Sequence, residues 1–206
     1  MDLGSLGTLT VSDDFGTYRE LAIGARTAFV LEDAIHEGDR REAYAFFRLL
    51  GYRFNHGDRS DARRILHWAY DFKDTEIESN RTLRALTVVA RRFLAHRGLP
   101  FAFLERAYAN IALYGDVQLA HDDGDVWTAL YFANPEWDLD FGGELFMYGE
   151  DPSVAVAIQP RPGRLVVFDG MIPHRAGVPS KLCLDPRITV AIKLRRSRDD
   201  GATEER

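Results

Sequence analysis

The feature that most constrains this chain is a series of short apolar segments in its second half, each closed by a turn signal. YANIALY, VWTALYFA, ELFMY, VAVAIQ, RLVVF and RITVAIKL are rich in β-branched and aromatic residues, the side chains that suit a pleated, half-buried surface. Asp123-Gly124, Gly142-Gly143, Pro162-Gly163 and Asp169-Gly170 punctuate them, and such doublets reverse a chain. Short strands at this spacing close into a sandwich, a barrel or a jelly roll.

The first half reads mainly as helix. GDRREAYAFFRLLG sets Ala43, Phe46, Phe47 and Leu50 on one stripe, with Gly51 placed to end it. Segments 61–72 and 80–97 carry the same three-and-four spacing, with Asn80 as a cap and HRGLP as a stop. TAFVLEDAI, ahead of the first helix, fits a strand. The expectation is therefore α+β, one domain over all 206 residues. Its helix-rich part covers about 14–104, with the helices packed outside a strand-rich core at about 105–194. Residues 1–13, rich in Gly and Ser, and the aperiodic tail 195–206 are expected to be mobile.

Composition narrows the function. Lys+Arg 26 against Asp+Glu 32 gives a net charge of -6, against a nucleic-acid binder, whose affinity comes mostly from phosphate neutralisation. No apolar run approaches the roughly 18 residues of a membrane span. The acidic start MDLGSLGTLTVSDD lacks the pattern of a secretion signal. The sole cysteine, Cys183, cannot pair internally, which fits a reducing compartment and a cytoplasmic location.

Of six histidines, His36, His56, His67 and His96 sit in charged or helical surroundings with no regularly spaced partner, and read as surface or packing residues. His121 differs. In LAHDDGD the strand period of two puts His121 and Asp123 on one face and turns Asp122 away; a local bulge would exchange the two carboxylates. His174, in VVFDGMIPHRAG, follows a strand and a tight turn. Two histidines and one carboxylate on one face of a metal leave its remaining positions open, as in a facial triad for non-haem Fe(II). The bare H-x-D pair reads equally well as a turn histidine followed by surface carboxylates.

Arg187 opens the otherwise apolar strand RITVAIKL. Burying a guanidinium without an anion is costly, and a bidentate carboxylate would supply one. Thr189 shares its face. An arginine at a solvated edge is the alternative.

The order His121-x-Asp123, His174, Arg187-x-Thr189 resembles the Fe(II)/2-oxoglutarate-dependent oxygenases, in their prolyl 4-hydroxylase-like branch. The likeness runs from about Tyr108 to Lys193, roughly two-fifths of the chain, and includes LYG, YFANPEW, GGEL and PRPGRLVVFD. It implies a double-stranded β-helix, a jelly roll with the metal at its open mouth. It further implies Fe(II) on His121, Asp123 and His174, and 2-oxoglutarate chelated to the iron with its distal carboxylate on Arg187. Thr189 and Tyr114 are helpers; Tyr114 also reads as a core tyrosine. O2 is the co-substrate, and 2-oxoglutarate leaves as succinate and CO2 while a substrate C–H bond is oxidised. Halogenating relatives lack the carboxylate that this chain keeps as Asp123, which favours hydroxylation. Several relatives place a tyrosine two residues before the Asn of YFAN, where this chain has Phe132; the distal carboxylate then needs another partner.

For the substrate, Trp127 and Arg175 flank the ligands and Trp137 lies before GGEL. Trp127 reads as pocket or core, Arg175 as a carboxylate partner or surface residue, and Trp137 as packing. Three functions fit: a hydroxylase of a small molecule such as an amino acid or natural-product intermediate; a prolyl-hydroxylase-like enzyme acting on a protein or peptide side chain; or a non-enzymatic metal-binding jelly roll. In the second, the polar stretch 55–61 would cover the substrate groove.

Overall fold

The computed structural model describes residues 8–13, 15–60 and 65–197. In chain order they form β1 (Thr8–Asp13), β2 (Gly16–Ile23), β3 (Arg26–Leu31), α1 (Glu37–Arg48), β4 (Arg53–His56), β5 (His67–Asp71), α2 (Asp74–Ser79) and α3 (Arg81–His96). Then come β6 (Phe103–Ala112), β7 (Val126–Phe132), a single 3-10 turn (Leu139–Phe141), β8 (Leu145–Tyr148), β9 (Ala155–Ile158), β10 (Leu165–Asp169), β11 (His174–Ala176) and β12 (Arg187–Arg195). No helix among the described residues is long and apolar enough to cross a membrane.

A nine-stranded antiparallel sheet runs β1-β2-β3-β10-β7-β12-β6-β5-β4 and faces a three-stranded sheet, β11-β8-β9. This is the expected jelly roll. Alternation along the strands separates two cores. Ile188, Val190, Ile192 and Leu194 of β12 and Ala129 and Tyr131 of β7 face a cluster shared with Phe47 of α1 and Leu83, Leu86, Ala90, Phe93 and Leu94 of α3. Leu130, Phe132, Val166 and Phe168, from β7 and β10, face the small sheet through Leu145, Met147 and Ile158. The small sheet thus covers the β2-β3-β10-β7 side, and the inner face of β12, β6, β5 and β4 is left to line a cavity.

The helices form where the apolar stripe and caps agree. In α3 the Asn80 side chain accepts from Leu83 N–H at 3.0 Å, and the buried face of this helix lies on Phe29 and Tyr18 through Phe93, with ring centroids 5.2 and 5.0 Å apart. In α1 the cap is His36, whose Nδ1 accepts from Gly38 N–H at 3.2 Å.

The first part holds all three described α-helices but is mixed rather than mainly helical. Between residues 14 and 104 lie four strands, β2 to β5, besides the helices. Segment 61–72, read as a helix, contains β5; residues 61–64 lie outside the described residues. In HWAYD, His67 and Ala69 are buried while Trp68 is exposed, a period of two. The neighbour β6 supplies ladder partners from Trp68↔Ile111 to Asp71↔Tyr108, so pairing outweighs the weak helical spacing. At the ends, Thr8–Asp13 is a strand on β2 rather than a loose segment. Residues 1–7 and 198–206 lie outside the described residues.

Candidate active site

The strands bring His121 and His174 directly opposite one another. They form an isolated antiparallel bridge through His121 N–H to His174 O at 3.0 Å and His174 N–H to His121 O at 2.8 Å. Their ring centroids lie 4.6 Å apart. Each Nδ1 sits on the carbonyl two residues upstream: His121 on Leu119 O at 2.9 Å and His174 on Ile172 O at 2.8 Å. A carbonyl only accepts, so each Nδ1 carries its proton and each Nε2 keeps a free lone pair.

Those Nε2 atoms converge on one carboxylate. His121 Nε2 lies 3.8 Å from Asp123 Oδ1, and His174 Nε2 lies 3.5 Å from Asp123 Oδ2. The three ligand atoms fall within 4.8 Å of one another, a spacing one metal ion can span. Asp123 is fixed by its own N–H to Gly170 O at 2.7 Å. A Cβ on Gly170 would meet Gly124 O and Val126 O at 2.7 Å, so only glycine lets the two chain segments approach this closely. Asp122 is exposed, accepts from Gly124 N–H at 3.0 Å and is not one of the converging ligand groups.

The electrostatics suit a cation. Burial alone would raise the Asp123 carboxyl, but the charges of Lys193 and His174, with hydrogen bonds from Lys193 and Thr128, outweigh it and bring it down to about 2. Burial lowers His174 to about 4 despite the nearby Asp123, so the ring is neutral near pH 7.

The triad opens into a cavity of about 250 Å³ whose lining includes Arg187 and Thr189. Arg187 is 2% exposed. Its Nε donates to Gly143 O at 2.6 Å, while its Nη2 is buried with no partner. Gly143 has φ +73°, and a Cβ there would stand 2.8 Å from Arg187 Cδ. The guanidinium lies over the Phe132 ring, 5.3 Å from its centroid, so the residue in place of the relatives' tyrosine offers a π-face. Asn134 clamps the start of β12 on both sides: Nδ2 donates to Pro186 O at 2.9 Å and Oδ1 accepts from Ile188 N–H at 2.8 Å. Burial lowers Arg187 to about 10, opposed by the charge of Glu144, and it stays protonated.

Three of the candidate residues lie outside the cavity lining. Tyr114 is 57% exposed, lies under Lys181 Nζ at 5.3 Å, and is not in the cavity lining; a loop beyond β6 carries it outward. Trp127 alternates away from the site into the helix-side core and donates to Pro100 O at 3.2 Å. Arg175 is exposed over the Phe146 ring, and its neighbours His174 and Ala176 take the inward positions. Trp137 packs as expected, donating to Gly142 O at 3.0 Å.

Sequence reasoning missed one wall of the cavity. His56 and His67, on β4 and β5, both line it, with His56 Nδ1 3.1 Å from His67 Nε2. Asp58, its side chain 3% exposed, lies 3.4 Å from His67 Nδ1 and 3.8 Å from His121 Nδ1, and accepts from Leu119 N–H at 2.6 Å. Stretch 55–60 is therefore a strut behind His121 rather than a cover. A strand period in HWAYD would have put His67 on an inner face. Gln118 Nε2 and Asn110 Oδ1 also line the cavity, buried and without hydrogen-bond partners, so the wall offers a polar ligand both donors and acceptors.

Residues 109–194 match the family model of the 2OG-Fe(II) oxygenase superfamily. No curated protein matches the chain by sequence. Among solved structures, a Pseudomonas putida prolyl-4-hydroxylase superposes with a TM-score of 0.60 at 20% identity, over 84% of this chain and 95% of that one. A Trichoplax adhaerens prolyl hydroxylase, solved with a peptide of hypoxia inducible factor, gives 0.64 at 14%, over 82% and 83%. The non-heme alpha ketoglutarate dependent carbocyclase SnoK of nogalamycin biosynthesis gives 0.60 at 14%, over 84% of both chains. At these identities the likeness establishes the shared fold.

Proposed function

From the match of residues 109–194 to the 2OG-Fe(II) oxygenase family model, we propose that the chain is an Fe(II)- and 2-oxoglutarate-dependent dioxygenase that hydroxylates a C–H bond of a small polar molecule. The observation that carries the reading is Arg187 Nη2, a buried cationic donor with no partner, in the same cavity as three converging metal-ligand atoms. A dicarboxylate that chelates a metal at one end and carries a free carboxylate at the other fits both demands.

His121, Asp123 and His174 would hold the iron, through the two free Nε2 lone pairs and one ionised carboxylate oxygen. Bound iron with 2-oxoglutarate supplies the O2-driven decarboxylation to succinate and CO2 that powers the oxidation. The chain's own part is positioning. Arg187 takes the distal carboxylate with Nη2, while Gly143 O, the Phe132 face and the Asn134 clamp fix the guanidinium. Thr189 presents its side chain from the same buried face of β12. The compact, polar-lined cavity favours a small hydrophilic substrate over an extended apolar one.

The test is succinate release by the Fe(II)-loaded protein on panels of free amino acids, natural-product intermediates and proline-containing peptides, with products weighed by mass spectrometry. One added oxygen on a small molecule supports the reading. Turnover on peptides alone moves the enzyme to the prolyl-hydroxylase class, as two of the structural relatives are named. Tight metal binding without 2-oxoglutarate binding points to a non-enzymatic jelly roll.

A further inference from the structure

Lys193 is 7% exposed, and lysines are almost never buried unless paired. It lies on the inner face of β12, six positions after Arg187, and lines the same cavity. Its ammonium donates to Asp123 Oδ2 and, at 3.1 Å, to Thr128 Oγ1. Thr128, wholly buried, donates to the same Asp123 oxygen at 2.6 Å. The convergence is built into the sheet, because β12 pairs with β7 in the register Lys193↔Thr128. One cross-strand pair therefore occupies Oδ2, the oxygen 3.5 Å from His174 Nε2, with two donors, and leaves Oδ1, 3.8 Å from His121 Nε2, without either of them.

We propose that Lys193 is a positioning residue for the metal: with Thr128 it holds Asp123 as a one-oxygen ligand and, by placing a fixed positive charge on the other oxygen, keeps bound iron in the ferrous state. The inference rests on the reading of His121, Asp123 and His174 as iron ligands. Groups that hydrogen-bond a ligating carboxylate tune the metal they do not touch. A buried cation is worth most at short range in a water-poor site, and it weakens a carboxylate's donation to iron. Weaker donation disfavours Fe(III), the more highly charged ion, more than Fe(II).

The experiment compares wild type with Lys193→Met, which keeps the stem length, and Lys193→Arg, which keeps the charge. Lys193→Gln serves as the neutral variant if methionine prevents folding. Mn(II) binding first establishes that each protein has a working site. The Fe(III)/Fe(II) midpoint is then read by mediated spectroelectrochemistry without 2-oxoglutarate, each iron exchanging one electron with the mediator. The neutral variants are expected to bind Mn(II), to show a lower midpoint, and to lose ferrous iron to air oxidation faster than wild type, with Lys193→Arg restoring the wild-type values. A neutral variant with bound iron and an unchanged midpoint overturns the proposal, as does an arginine variant that behaves like the neutral ones. Wild type that binds neither Mn(II) nor Fe(II) overturns the triad reading itself, and this proposal with it.

Discussion

Arg187 sets the terms at the scale of single residues. A guanidinium at 2% exposure with one bond to Gly143 O and Nη2 unpartnered costs the fold stability that a bound anion returns. Replacing it by methionine removes a charge-assisted hydrogen bond of about 1.5–3 kcal/mol, or roughly 10–100-fold in affinity. Arg187→Met is therefore expected to weaken 2-oxoglutarate binding to the Mn(II)-loaded protein by that factor in calorimetry, with Mn(II) affinity unchanged. An unchanged 2-oxoglutarate affinity would remove Arg187 from the site. Asp123 rather than Asp122 joins the histidines, as the period of two suggested, although only His121 of this segment forms a β-bridge. The exposure of Tyr114 was not legible, since it depends on the path of a loop after β6.

At the scale of elements, the site is a property of β12 and what crosses it. Gly143 passes under Arg187 at positive φ, so Gly143→Ala adds backbone strain of about 1–2 kcal/mol and pushes the guanidinium off its carbonyl. The expected outcome is a Tm lower by roughly 2–8 °C and weakened 2-oxoglutarate binding with the metal site intact. Equal loss of metal and 2-oxoglutarate binding would mean that the substitution acts on the whole sheet. The strands of the second half were readable because period-two alternation and turn doublets coincide in them. β5 was not: its five residues carry too short a pattern to tell two periods apart, and the ladder to β6 decides it. That misreading hid His67, because a helix face and a strand face bring different residues inward.

The whole molecule gathers strands far apart in sequence, and one row of polar groups comes from this alone. His56 on β4 meets His67 on β5, and Asp58, after β4, lies against both His67 and the back of His121, a juxtaposition that no local motif encodes. It has a consequence for pH. Burial, then the charges of Arg106 and His67, lower His56 to about 4, and burial lowers His67 against the pull of Asp58. Both are neutral in the fold, whereas the unfolded chain takes up protons near pH 6.5. The unfolded state then binds more protons below that pH, so stability falls as pH drops from about 6.5 toward 4. Thermal unfolding of the metal-free protein should show Tm falling through this window, less steeply in His56→Asn. A flat Tm across it would contradict the burial of the pair.

The central claim is that one cavity holds iron on His121, Asp123 and His174 and 2-oxoglutarate against Arg187. Anaerobic titration of the Fe(II)-loaded protein with 2-oxoglutarate, followed by visible absorption, tests it most directly. A metal-to-ligand charge-transfer band that saturates at one equivalent and is absent in His174→Ala is expected. Tightly bound iron with no band at saturating 2-oxoglutarate would contradict the claim.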